Sequence, residues 1–102
     1  MKFKVFRTSI FDKKISAFSK DFKKMIDKFE NQLMENPYVG KPLGFRWFRE
    51  KKLEKYRMYY LIYEDLQSVY IVTLSDKKDQ QKIINTIKIF LDKYRKEIEQ
   101  ML

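Results

Sequence analysis

Two neighbouring segments, Tyr56 to Tyr63 and Val69 to Leu74, constrain this chain more than any others. Successive side chains of a strand face opposite ways. In the first segment Tyr56, Met58, Tyr60 and Ile62 therefore share one face, while Arg57, Tyr59, Leu61 and Tyr63 share the other. Val69-Tyr-Ile-Val-Thr-Leu74 is likewise bulky on both sides, and Glu64-Asp65-Leu66-Gln67 turns the chain between the two. Strands that are apolar or aromatic on both faces need cover on both faces. Two helices packed on one side do not meet that need, so a third is required.

The rest of the chain supplies helices. Residues 3 to 7, Phe-Lys-Val-Phe-Arg, alternate and begin the chain as a strand. Thr8 or Ser9 can cap the helix that follows. Apolar residues then recur at Ile15, Phe18, Phe22, Met25, Ile26, Phe29 and Leu33, the spacing of a helical face. Ser19-Lys20-Asp21 splits this run into two antiparallel helices with Ser19 capping the second; one bent helix is the alternative. Asn36-Pro37 ends the run, because a residue before proline avoids the α region. Gly44 to Glu50 reads as a strand and Lys51 to Lys55 as a charged hairpin loop.

Residues 76 to 102 form the third helical element. Ser75 or Asp76 caps its start, and Lys93, Arg95 and Lys96 lie toward the negative end of the dipole. Ile84, Ile87, Leu91, Tyr94, Ile98 and Met101 make a heptad-like seam that Ile83, Phe90 and Leu102 widen. Such a seam packs within the chain or meets a partner helix, a second copy of this chain included. About 25 helical residues run roughly 37 Å. The part up to Tyr94 is expected to pack on the sheet, and Ile98, Met101 and Leu102 to overhang. The expected fold is α+β in one domain, residues 1–102. It has a mostly antiparallel four-stranded sheet, two helices after the first strand and a long C-terminal helix.

Composition narrows the function. A chain of 102 residues has room for one modest core. It has no cysteine, which removes disulfides, thiolate metal sites and a cysteine nucleophile. It has no histidine, the commonest general base and metal ligand. No metal or cofactor is expected, and any chemistry falls to Arg, Lys and Tyr. The opening Met-Lys-Phe-Lys-Val-Phe-Arg is no signal peptide, and Met58 to Tyr63 is far shorter than the ~20 residues of a spanning helix. A cytoplasmic location without membrane contact is expected. Twenty-three Lys and Arg against 14 Asp and Glu leave a net charge of +9. On so small a chain that field attracts polyanions, either nucleic acid or an acidic protein segment. A lysine-rich solubilising surface is the plainer reading.

Several motifs carry a resemblance. They are Leu33-Met-Glu-Asn36-Pro37, the link Asn36-Pro-Tyr-Val-Gly-Lys-Pro-Leu-Gly-Phe45, Arg49, Tyr56-Arg57-Met-Tyr-Tyr60 and Val69-Tyr-Ile-Val-Thr-Leu-Ser75. In order and spacing the chain, from about residue 12 to 80, resembles the RelE/ParE superfamily, the small basic toxins of type II toxin–antitoxin pairs. The resemblance implies a RelE-like fold, an acidic antitoxin as partner, and inhibition of translation by cleaving mRNA in the ribosomal A site. Metal-free RNA cleavage must deprotonate the 2′-OH, stabilise charge on phosphorus and protonate the leaving oxygen. Arg is a permanent bidentate phosphate clamp, and Lys transfers protons when its surroundings depress its pKa.

Arg57 matches the arginine of the family's Y-R-x-x-Y strand, Tyr59 lies on its face, and Lys77 matches a position where relatives carry arginine. These three are the catalytic candidates; Arg49, Lys51, Lys52 and Lys78 are the RNA-binding candidates. The chain also departs from the family. Phe45 and Trp47 stand where relatives place lysines, and Gln80, Gln81, Ile83 and Ile84 where relatives place a tyrosine or histidine acid. A ParE-like inhibitor without nuclease activity and an RNA-binding relative without toxicity therefore stay open. Arg57 can instead pair with Glu64 or Asp65, or stack on Tyr59 and Trp47. Lys51, Lys52 and Lys78 can each be solvated charges. Phe45, Trp47 and Phe48 suit a base-stacking platform, although at least two of the three are expected in the core.

Overall fold

The computed structural model describes residues 2–102. The chain runs β1 (Lys4–Arg7), α1 (Ser9–Ile15), α2 (Lys20–Glu35), β2 (Lys41–Phe45), β3 (Phe48–Leu53), β4 (Tyr56–Tyr63), β5 (Ser68–Asp76), α3 (Gln80–Ile89) and α4 (Leu91–Met101). The sheet order is β1-β5-β4-β3-β2. β1 lies parallel to β5, and every other pair is antiparallel. The fold is α+β with a mostly antiparallel sheet, as expected, but the strands number five rather than four. Among the described residues no helix is long and apolar enough to cross a membrane.

Both faces of the sheet are covered. On one, Phe22, Ile26, Phe29 and Leu33 of α2 and Phe11 and Ile15 of α1 pack against Met58, Tyr60 and Ile62 of β4 and Val69, Ile71 and Leu74 of β5. On the other, Ile84 and Ile87 of α3 meet Phe48, Tyr59, Leu61 and Val72, and Leu91 and Tyr94 extend the contact. Each fully buried side chain of this size contributes roughly 2 kcal/mol.

Local chemistry fixes the elements. Thr8 Oγ1 accepts the Phe11 N–H at 3.0 Å and so caps α1, while Ser19 Oγ accepts the Phe22 N–H at 3.1 Å and caps α2. Thr8 also donates to the Val72 carbonyl at 2.5 Å. Val72 is the extra residue of a bulge, since Tyr59 pairs with Thr73 and Tyr60 with Ile71. Lys14 of α1 donates to Thr73 Oγ1 and the Leu74 carbonyl, and so ties α1 to β5 just beyond the bulge. Arg7 ties β1 to α2 through Glu30, at 2.6 Å to each carboxylate oxygen, and Asp27 at 3.0 Å.

Four expectations need correction. Residues Lys41 to Phe45 form an edge strand and Arg46-Trp47 a turn, so the strand expected over Gly44 to Glu50 is two strands. Pro42 and Gly44 disguise β2, yet an edge strand tolerates both. The loop expected over Lys51 to Lys55 shrinks to Glu54-Lys55, because Leu53 pairs with Tyr56. Glu54 adopts φ 56°, a left-handed turn conformation usually given to Gly or Asn. The long C-terminal helix breaks at Phe90 (φ −105°, ψ 22°) into α3 and α4. Ile98, expected to overhang, is fully buried, whereas Met101 and Leu102 stay about half exposed.

Candidate nucleic-acid interface

The link from α2 to β2 builds one wall of the site. Asn36 N–H donates to the Gln32 carbonyl at 2.8 Å, and its Oδ1 accepts the Tyr38 N–H at 3.0 Å. Asn36 thus ends one helix and starts the short turn Pro37–Val39. The Tyr60 hydroxyl donates to the Pro37 carbonyl at 2.8 Å and accepts the Gly40 N–H at 3.0 Å. A Cβ on Gly40 would lie 2.5 Å from that hydroxyl oxygen and 2.6 Å from the Glu50 carbonyl oxygen, so only glycine fits.

Strand register brings the opposite wall together. Arg57 on β4 stands opposite Lys52 on β3 and Ser75 on β5. Its Nε lies 3.3 Å from Glu50 Oε2, with side-chain exposures of 14% and 5%. Gln80 at the start of α3 donates to both Glu50 oxygens, at 2.6 and 2.9 Å. A buried carboxylate is costly unless its oxygens are satisfied, and here it joins β3, β4 and α3 at one point. Around it opens a cleft of about 460 Å³, lined by Val39, Gly40, Lys41, Glu50, Lys51, Lys52, Arg57, Lys77 and Gln80.

Of the residues singled out in the sequence, Arg57, Lys52 and Lys77 line this cleft together. Tyr59 lies beneath it with no exposed surface, its hydroxyl 2.9 Å from Ser75 Oγ. Ser75 Oγ also lies 3.0 Å from the Asp76 carbonyl oxygen, so the Tyr59 hydroxyl belongs to a small network at the end of β5. Burial pushes the Tyr59 phenol above its ordinary pKa, so it holds its proton at neutral pH. Lys51 borders the cleft, but its ammonium sits 5.3 Å from the Phe29 ring centroid, on the opposite face of the sheet. Lys78 is exposed on the Lys77–Asp79 turn and is not part of the lining. Arg49 faces away: its three nitrogens donate to the carbonyls of Gly40, Arg46 and Tyr38 at 2.9 to 3.0 Å.

The partner of Arg57 is Glu50 rather than Glu64 or Asp65, which pair with Arg46 and Arg95. Sequence reasoning missed Glu50, Gln80 and Lys41. One signal was present: Glu50 alternates with Phe48, a carboxylate at an inward position of a strand. Phe45 and Trp47 are also not core, being 43% and 37% exposed, whereas Phe48 is buried.

Chemically the cleft suits an oxyanion. The ion pair engages Arg57 Nε, and among the described residues no hydrogen bond occupies its two Nη groups. With Lys41, Lys52 and Lys77 they offer donors to a phosphodiester, for which the planar guanidinium is the best-matched side chain.

Neither a protein-family model nor a curated protein sequence matches the chain. Solved structures do. An arginine double mutant of the Escherichia coli toxin RelE in the free state superposes with a TM-score of 0.73 at 15% identity, covering 86% of this chain and 97% of that one. RelE–RelB from Pyrococcus horikoshii gives 0.67 at 18%, covering 76% and 97%. The toxin–antitoxin complex RelBE2 from Mycobacterium tuberculosis gives 0.65 at 20%, covering 76% and 93%. Identities this low speak for architecture, and the architecture of this chain is the RelE fold.

Proposed function

We propose that this chain is the toxin of a type II toxin–antitoxin pair, acting in the cytoplasm on mRNA held by the ribosome and neutralised by an acidic antitoxin. The observation that carries the reading is the cleft in which Arg57, Lys52 and Lys77 converge within a RelE fold. Structural neighbours crystallised as toxin–antitoxin complexes support the antitoxin partner. The net charge of +9 supports a polyanionic target. In this reading Arg57 clamps the scissile phosphate and stabilises the charge that develops on it. Lys52 and Lys77 are the groups within the cleft that can move protons between the 2′-OH and the leaving oxygen.

A ParE-like inhibitor that binds without cleaving is the second reading. Two features favour it: Glu50 occupies part of Arg57, and the Tyr59 hydroxyl is buried and already hydrogen-bonded to Ser75. The test is induced expression with mapping of mRNA 5′ ends. Wild type is expected to stop growth and create new 5′ ends inside translated regions, and a folded Arg57→Ala variant to do neither. Growth arrest without new ends would move the assignment to the second reading. An Arg57→Ala chain that is unfolded by circular dichroism would make Arg57 a structural residue.

A further inference from the structure

The exposed aromatics at the β2–β3 turn are not explained by the core or by the cleft. The Phe45 and Trp47 rings stack 4.6 Å apart at 20°, and Trp47 continues the stack onto buried Phe48 at 6.4 Å and 19°. Gly44 takes φ 87° within the irregular part of β2 that delivers Phe45 to this stack. Phe45 pairs with Phe48, and Lys88 of α3 holds its ammonium 5.7 Å from the Phe45 ring. The pair is partly exposed and rests on a buried third ring, and a cation stands over Phe45. Such an arrangement receives a flat, electron-rich ring next to a negative charge.

Its position relates it to the cleft. Lys52 and Phe48 lie four residues apart on β3 and on the same face, a span of about 13 Å. α3 runs alongside from Gln80, which lines the cleft, to Lys88, over a similar distance of about 12 Å. The cleft and the stack are thus two stations on one side of the sheet, between the β2 edge and α3. The first is built for a phosphate and the second for a base.

We infer that Phe45 and Trp47 form a stacking subsite for an unpaired nucleotide base of the strand whose backbone lies in the Arg57 cleft, with Lys88 on the adjacent phosphate. The assignment rests on the RNA-binding reading of the cleft. A few extended nucleotides bridge the two stations, so recognition tolerates any base but requires strand length.

Trp47 is the only tryptophan, so its emission reports on the subsite directly. The full chain is titrated with single-stranded oligoadenylates of two to eight nucleotides and, separately, with inorganic tripolyphosphate. Expected are quenching that grows up to a length of a few nucleotides and then levels off, no quenching with tripolyphosphate, and about tenfold weaker RNA binding by Phe45→Leu. Phe45 is exposed, so that variant should fold; Lys88→Ala, with a smaller loss, is the second variant. Arg57→Ala separates the two claims. RNA binding that depends on Arg57 but leaves Trp47 unquenched and ignores Phe45→Leu overturns the subsite and leaves the cleft standing. Loss of all RNA binding, wild type included, overturns both. Quenching by an acidic peptide but not by RNA assigns the rings to a protein partner and overturns the inference.

Discussion

Glu50→Gln separates what holds the site together from what the site holds. Glu50 is 5% exposed and accepts Gln80 through both oxygens while facing Arg57 Nε at 3.3 Å. Glutamine is nearly isosteric, and its one carbonyl oxygen still accepts from Gln80. The charge opposite Arg57 is lost. A hydrogen bond to a charged group is worth about 1.5–3 kcal/mol against about 1 for a neutral one. The full 3–5 kcal/mol of a broken buried pair does not apply, because Arg57 borders an open cleft. The expected cost is about 1–2 kcal/mol, a fall in Tm of about 5–15 °C for a domain of this size.

The effect on binding has the opposite sign. A phosphate on Arg57 would sit within about 6 Å of the Glu50 carboxylate, where two like charges repel by about 1–2 kcal/mol once cleft water screens them. Without that repulsion RNA binds about 5- to 30-fold more tightly. Thermal melts by circular dichroism and fluorescence anisotropy of a labelled RNA near 0.1 M salt measure both quantities. A variant that is less stable and also binds more weakly would show that Glu50 chiefly positions Arg57. Unchanged affinity would remove the phosphate from this cleft altogether.

Other perturbations test other parts of the structure. Gly40→Ala forces apart Gly40, Tyr60 and the Glu50 carbonyl, with an expected cost of about 2–4 kcal/mol in urea unfolding. Gly44→Ala, with open space around it, should lose only about 1 kcal/mol of left-handed backbone preference. Ile98→Ala should lose about 2–4 kcal/mol because Ile98 is fully buried; a change below 0.5 kcal/mol would return the end of α4 to the role of a free interface. Burial raises the phenols of Tyr59, Tyr60, Tyr63 and Tyr70 above their ordinary value. The folded chain therefore keeps protons that the unfolded chain releases, so stability is fully present below pH ~10 and declines as the pH rises beyond it. Urea midpoints that stay level from pH 8 to 11 would contradict this. Affinity for a short RNA should fall steeply between low and moderate salt, and a flat response would leave the charge as solubility alone.

What the sequence made legible follows from where local signals decide the structure. Thr8 and Ser19 cap because their hydroxyls reach backbone N–H groups three residues on, a purely local event. The need for helices on both faces followed from β4 and β5 alone, and both covers are present. The hairpin was illegible because its turn, Glu54-Lys55, lacks the glycine or asparagine that usually marks one. That error hid the partner of Arg57. A five-residue loop over Lys51 to Lys55 would bring Glu50 opposite Tyr56, whereas the two-residue turn brings it opposite Tyr59. A three-residue difference is odd, so it moves each side chain to the other face, and with it the inward carboxylate beneath the cleft. The break at Phe90 was hidden for the converse reason. The apolar steps from Ile84 to Ile98 run through it without interruption, and neither Gly nor Pro marks it.

The distribution of ion pairs joins the fold to the proposed function. Asp12, Asp27 and Glu30 surround Arg7; Asp65 and Glu99 hold Arg95; Glu64 pairs with Arg46 and Glu97 with Lys93. These pairs lie where β1 meets α1 and α2, along α4, and at the far end of β4 beside the β2–β3 turn. At the cleft Lys41, Lys51, Lys52 and Lys77 form no ion pair among the described residues, as is true of most lysines of the chain, but here they stand together and Glu50 is the one carboxylate in the lining. Clustered unpaired cations repel, and a fold retains them only where something else holds the walls. Here Gln80 on Glu50, Tyr60 on Pro37 and Gly40, and Arg49 on three carbonyls do the holding. None of these ties draws on the lysines of the cleft. Their charge stays directed at solvent, and a phosphate backbone entering the cleft would relieve a repulsion that the rest of the structure is built to withstand.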